Sequence, residues 1–423
     1  MNKNTVEVWV DSDIFGELQR VGAMHHQHGH IRFEYFKSWL NHPYRFNLDP
    51  HLSLHKGSFH PHPDIGNFGM LLDSSPDRWG QTLMKRREAQ QSKEENRKPK
   101  ILYSWDYLLG VQDETRQGAL RFKHEGTNEF LDNDDFSAPP VSKLSELEQI
   151  AIELSSKCIN DMDKLKRWLS VLVAPGSSLG GARPKANFTD NDGSLWIAKF
   201  PAKDDIYDVA AWEKLSHSLA QKALIDVPEA KLKKFNSDHH TFCVKRFDRF
   251  NDNRVFYASA MTLLEATSSE DKSYLDLAQI IQNNGDPSFI KDNLKQMFRR
   301  LVFNVAIGNR DDHLRNHGFI LDKKGWRLSK AFDVNPNMNK ASHVLNLNDI
   351  DNTPDMQNVL ETASFYDLNE DEASNIIYQI IEVVRNWKSE AKKMGISRAD
   401  IELMGSAFLS FKSTELFTVL KSI

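Results

Sequence analysis

Apolar and polar residues alternate at the start of the chain, where Val6, Val8 and Val10 are separated by Glu7 and Trp9. A period of two puts every second side chain on one sheet face, so this run predicts a strand. The polar Asp11-Ser12-Asp13 predicts a turn, and residues 14–21 the return strand of a β-hairpin. Residues 33–39 predict a further strand. Residues 90–100 are charged and nearly free of apolar side chains, which predicts a surface loop, and residues 132–140, ending in Pro139-Pro140, predict a linker. Ser145 and Glu148 then have capping-box spacing ahead of Ile150 and Leu154, the pattern of a helix start. Ala186-Asn187-Phe188, Asp190-Asn191-Asp192-Gly193 and residues 195–200 read as strand, tight turn and strand, because Asp-Gly tolerates positive φ. A helix over 205–222 and a strand over 242–247 follow. Leu294, Met297, Phe298, Leu301, Val302 and Val305 recur at helical spacing until Gly308 stops the run. The remainder is mostly helical, including 372–387, where Ile376, Ile377, Ile380, Ile381 and Val384 form a core stripe. A β-rich part followed by a large helical part predicts an α+β fold of two lobes, with the polar clusters falling where the lobes meet.

Composition narrows the function. The chain of 423 residues, 40% hydrophobic and 27% charged, is long enough for two or three globular domains. A net charge of −5 gives no general attraction to nucleic acid, so direct reading of DNA is not expected. Cys158 and Cys243 lie far apart without metal-ligand spacing, and there is neither a secretory leader nor a long apolar span. A cytoplasmic location without membrane contact is the expectation.

Three groups of residues carry chemistry. Asp311 and Asn316 have the D-x-x-x-x-N spacing of a kinase catalytic loop, in which the carboxylate accepts the substrate hydroxyl proton and the amide oxygen binds a metal. Phe332-Asp333-Val334 resembles the Asp-Phe-Gly position, whose carboxylate holds magnesium between ATP phosphates. Either motif alone also fits a polar surface loop; together, in this order and after this helix, they predict a kinase. The glycine-rich run at 177–185 is no Walker A, and serves either as a nest of N–H groups over phosphates or as a plain turn. Lys199, inside an apolar strand, and Glu213, on the inward face of a helix at i+4 from Val209 and i+7 from Ile206, predict an ion pair; two snorkelling surface side chains are the alternative. His25, His26, His28, His30, His51, His55, His60 and His62 lack a motif that fixes their geometry, so no metal site is expected there. Trp79 and Trp212 read as packing residues.

Five separated blocks carry a family resemblance: Ser178-Leu179-Gly180-Gly181-Ala182-Arg183-Pro184-Lys185, Ile197-Ala198-Lys199-Phe200, Lys245-Arg246-Phe247-Asp248-Arg249, Asn309-Arg310-Asp311-Asp312-His313-Leu314-Arg315-Asn316 and Ala331-Phe332-Asp333-Val334. They resemble the HipA family in sequence and order, as do residues 71–80 and Tyr107-Leu108-Leu109-Gly110 near the start. The resemblance implies a protein-kinase-like fold with an N-terminal module over 1–125, a small lobe with a glycine-rich loop over 126–247 and a helical lobe with the catalytic loop over 248–423. It implies a serine/threonine kinase, the toxin of a toxin–antitoxin pair, that phosphorylates a serine of an aminoacyl-tRNA synthetase. The implied partner is a HipB-type helix-turn-helix antitoxin dimer, through which alone DNA is reached. By matching position, Asp311 would be the base, His313 a support of its loop, Asn316 and Asp333 the Mg2+ ligands and Lys199 the ATP-phosphate lysine. Ser178, Gly180, Gly181, Ala182, Lys185, Glu213, Lys245 and Phe247 would complete the ATP site. Ser178 also holds the position of an autophosphorylated serine, whose added charge would compete with ATP. Arg183-Pro184 and Lys245 depart from the family's pattern. Two rival readings stay open: a small-molecule kinase of the aminoglycoside or choline type, and a catalytically weak corepressor that stiffens an antitoxin on its operator.

Overall fold

A computed structural model describes residues 4–132, 138–155, 169, 171–172, 181, 183–250 and 253–411. Helices and antiparallel sheets are both present, an α+β chain that divides into two compact units, Met1–Asp205 with Lys233–Ala258 and Ile206–Leu232 with Ser259–Ile423.

In the first unit, strand Thr5–Val10 pairs antiparallel with Gln19–Gln27 on one side and Leu120–His124 on the other, and His30–Tyr35 forms the outer strand beside Gln19–Gln27. Val6, Val8 and Val10 are fully buried, as their alternation requires. The return strand starts later than expected because Asp13–Phe15 form a 3-10 turn closed by Gly16 at φ 72°. The strand expected over 33–39 is displaced too: it spans His30–Tyr35, and Lys37–Leu40 is helical. The loop expected over 90–100 is helical as far as residue 94, since helix Arg78–Glu94 ends in good helix formers that need no apolar face, with Gln90 Nε2 donating to Glu94 Oε1 at 3.0 Å.

A second antiparallel sheet in this unit runs Lys185–Thr189, Leu195–Lys199, Thr241–Lys245. Trp79 and Leu83 of helix Arg78–Glu94 share one core with Phe188, Trp196, Ala198 and Phe200 of this sheet region, and with Leu147, Ile150 and Leu154 of helix Leu144–Ser155. No capping box forms there, because Ser145 already lies within the helix. Glu148 is instead buried and accepts from Thr241 Oγ1 and, at 3.3 Å, from Ser237 N.

The second unit is built on helix Ile290–Ile307, whose residues from Met297 onward are buried against helices Tyr274–Asn284 and Glu370–Val384. Gly308 ends it at φ 70°, and a Cβ there would lie 2.5 Å from the Ala407 carbonyl, so turn geometry and close packing both select glycine. Helix Val209–Lys222 starts at Asp208, whose side chain accepts from Ala211 N at 3.1 Å. Ile206 precedes that helix and is 81% exposed, so it is not part of the inward face expected to carry Glu213. Trp212 packs against Trp387 and Phe408 as a core residue. Among the described residues no helix is long and apolar enough to cross a membrane.

Candidate active site

The loop that follows helix Ile290–Ile307 is anchored at several points. Asn309 donates from its backbone to Asn304 O at 2.8 Å and from Nδ2 to Asn304 Oδ1 at 3.1 Å. The buried Arg310 reaches Lys340 O at 2.8 Å and the Ser410 hydroxyl, while Asn337 N donates to Gly308 O at 2.8 Å. Leu314 N donates to Ser269 Oγ at 3.1 Å and Asn316 N to His313 O at 2.8 Å.

The centre of this scaffold is Asp312, 4% exposed. Its Oδ2 accepts from Asn304 Nδ2 at 2.8 Å and from the Tyr274 hydroxyl, and meets His317 Nε2 at 2.7 Å. Burial by itself would raise the Asp312 pKa; the charge and hydrogen bond of His317, then the Tyr274 hydroxyl, outweigh it and hold the carboxyl below its usual range. Tyr274 is pushed far up by its burial and by Asp312, so it stays a donor.

With Asp312 enclosed in this way, Asp311 faces outward, its side chain 59% exposed and ion-paired to Lys340. Asn316 lines a small cavity with Arg300, Asn304, Asp312 and His317. Phe332 and Val334 line the same cavity, so Asp333 is bracketed by residues that border Asn316's surroundings. Asp333 itself is exposed at φ 57°, a left-handed conformation that aspartate tolerates better than most residues. The unit thus carries Asp311, His313 and Asn316 on one loop, and the two residues that flank Asp333 border the cavity lined by Asn316.

In the first unit, Lys185 and Lys199 are direct cross-strand partners and so project from the same sheet face. Lys185 is buried, and its Nζ lies 2.6 Å from where a Cβ on Gly181 would stand; Gly181 itself has φ 82°. Gly181 N donates to Asp77 Oδ2 at 2.9 Å, Trp79 N to Gly181 O at 3.2 Å and Trp79 Nε1 to Lys185 O at 2.8 Å. Trp79 therefore does more than pack: with Asp77 it fixes the end of the glycine-rich run.

Lys245 pairs with Asp192 of the adjoining turn at 3.5 Å, and Phe247 packs near Tyr257 with ring centroids 6.1 Å apart. Glu213 is buried on helix Val209–Lys222 of the second unit, whereas Lys199 belongs to the first. Ser178, Gly180 and Ala182 lie outside the described residues. Among the N-terminal histidines, His26 stacks on Trp105 at 5.0 Å and His25 meets Thr5 Oγ1 at 3.1 Å.

Sequence reasoning missed two features, the Asp312 hub and the ion pair of Asp311 with Lys340. The Asp311-Asp312 doublet was a signal for the first, since one carboxylate suffices as a base. Nothing in the spacing pointed to Lys340.

Residues 177–387 match the family model described as HipA-like C-terminal domain. A Haemophilus influenzae protein that bears a kinase name is 25% identical over 181 residues, 37% of this chain and 52% of that protein, so the match spans about half of the relative's length. A chain from the complex of HipA, HipB and operator DNA of the Shewanella oneidensis MR-1 toxin–antitoxin system shares the fold with a TM-score of 0.67 at 14% identity, over 98% of this chain and 99% of that one. Carrying a HipA-like C-terminal domain around the Asp311 loop, the chain belongs to the HipA-type family.

Proposed function

We propose that this chain is an ATP-dependent serine/threonine protein kinase and the toxin of a toxin–antitoxin pair. The observation that carries the reading is the division of labour between adjacent aspartates: Asp312 is buried and bound through Oδ2 to Asn304, Tyr274 and His317, while Asp311 is held outward on the same loop as Asn316 in a HipA-like domain. Asp311 would accept the proton of a substrate serine or threonine as its oxygen attacks the γ-phosphorus. The Asn316 amide and Asp333 carboxylate are hard oxygen donors that suit magnesium and would hold it. Magnesium, when bound, neutralises charge on the ATP phosphates. Lys199 and Lys185 would bind those phosphates from their shared sheet face, with Gly181 leaving room for the Lys185 ammonium.

The partner would be a HipB-type antitoxin dimer, consistent with the complex in which the Shewanella relative was solved. A net charge of −5 supplies no excess of phosphate contacts, so DNA would be reached through that dimer. An aminoacyl-tRNA synthetase is the substrate that the family likeness points to, and Ser178 the site of self-modification.

The test is incubation of the purified chain with γ-labelled ATP and a bacterial lysate, with and without magnesium, followed by mass spectrometry. Label should enter protein on serine or threonine, including Ser178 of the chain, and Asp333→Ala should weaken magnesium-dependent nucleotide binding. Label found only in a metabolite pool would favour a small-molecule kinase. Nucleotide affinity indifferent both to magnesium and to Asp333→Ala would remove the metal assignment.

A further inference from the structure

We infer that Lys340, a residue outside every motif described above, is the cation that binds the transferring phosphoryl group; the inference rests on the kinase reading and deepens it. Its ammonium contacts Asp311 Oδ1 directly. The proton that Asp311 accepts comes from the hydroxyl whose oxygen bonds to the γ-phosphorus. A cation touching the Asp311 carboxylate is therefore only about one hydroxyl group away from the reacting phosphoryl.

The position is built rather than incidental. Lys340 O accepts from the buried Arg310 at 2.8 Å, Asn337 N donates to Gly308 O at 2.8 Å, and Asn337 Oδ1 accepts from Asn339 N at 2.9 Å. The segment that carries Lys340 is thus tied to the loop that carries Asp311. With side-chain exposures of 43% for Lys340 and 59% for Asp311, the ion pair contributes little to stability, so holding the fold together does not account for it. An ammonium has three N–H donors and a flexible stem: one donor can keep the Asp311 carboxylate oriented while the others bind phosphoryl oxygens.

In the transfer step the substrate oxygen forms a bond to the γ-phosphorus, the bond from that phosphorus to the β,γ-bridging oxygen breaks and leaves its electron pair on ADP, and the hydroxyl proton passes to Asp311. Lys340 stays protonated throughout and stabilises charge on the transferring oxygens.

The experiment compares wild-type chain, Lys340→Met and Lys340→Arg, each checked for folding by circular dichroism. Initial rates of phosphate transfer from γ-labelled ATP into lysate protein are measured at saturating ATP, together with the dissociation constant for ATP. Lys340→Met should lower the maximal rate about 100-fold while ATP affinity changes by less than about threefold, and Lys340→Arg should recover most of the rate. A Lys340→Met rate equal to wild type, or higher because the pair restrains Asp311, would overturn the assignment, as would a loss expressed only in ATP affinity. Failure of the wild-type chain to transfer phosphate at all would instead overturn the kinase reading.

Discussion

Two clusters of charge make an instructive pair: Arg246-Phe247-Asp248-Arg249 in the first unit and the Asp311–Asn316 loop in the second. In the first, every charge is turned inward. Asp248 accepts from Arg246 Nε and Gly118 N, each at 2.8 Å, and from Arg249 Nη1 at 3.0 Å; Arg246 also reaches Asn187 Oδ1 at 2.9 Å and Thr115 O at 2.6 Å. Burial would raise the Asp248 pKa, but the charges of Arg246 and Arg249 hold it far below the usual carboxylate range. The second cluster is split. Asp312 is enclosed like Asp248, while its neighbour Asp311 keeps an exposed carboxylate. A buried charge with a full set of donors belongs to the fold, and one held outward on a rigid loop is available to chemistry.

The contrast can be broken at three points. The largest effect on stability is expected at Asp248. Asp248→Ala would leave Arg246 and Arg249 buried without their counter-ion and should cost about 3–5 kcal/mol in urea unfolding; a loss below about 1 kcal/mol would show the network to be dispensable.

The next effect is a pH dependence at His343, which is 3% exposed and whose pKa is pushed from 6.5 to about 4, chiefly by burial. The folded state keeps this ring neutral while the unfolded state binds a proton, so stability is full above about pH 6.5 and falls as pH drops towards about 4. Every tenfold difference in proton affinity between the two states is worth about 1.4 kcal/mol. His343→Gln should flatten the unfolding free energy over that window, and an unchanged slope would remove His343 as the cause.

The smallest effect on stability is expected at Asp311, where Asp311→Asn should stay within about 0.5 kcal/mol of wild type because the side chain is exposed.

Much of this arrangement was legible in the sequence, and the limits have physical causes. The Val6-Val8-Val10 alternation and the Leu294 to Val305 periodicity gave the right elements because one face of each is fully buried. Residues 90–94 misled because a charged helix end and a loop have the same composition. The Ser145/Glu148 spacing pointed to a real helix, Leu144–Ser155, but not to a capping box, because the Glu148 carboxylate is satisfied by tertiary partners such as Thr241 instead of its own helix terminus. Asp311 and Asn316 could be picked out by spacing, and the Lys185–Lys199 pairing follows from the register of a hairpin whose turn was read correctly. Asp312 and Lys340 could not be assigned, since burial of one aspartate of a doublet and a contact spanning the stretch from 311 to 340 depend on tertiary packing.

The most direct test of the role given to Asp311 is one rate comparison: initial phosphate transfer from γ-labelled ATP into lysate protein by wild-type chain and by folded Asp311→Asn, with ATP binding measured on both. Transfer to serine or threonine is expected from the wild type, with a loss of at least about 100-fold in the variant and ATP affinity nearly unchanged, because the substitution removes the proposed base and leaves Lys185 and Lys199, the proposed phosphate ligands, in place. Transfer by Asp311→Asn at the wild-type rate would contradict that role.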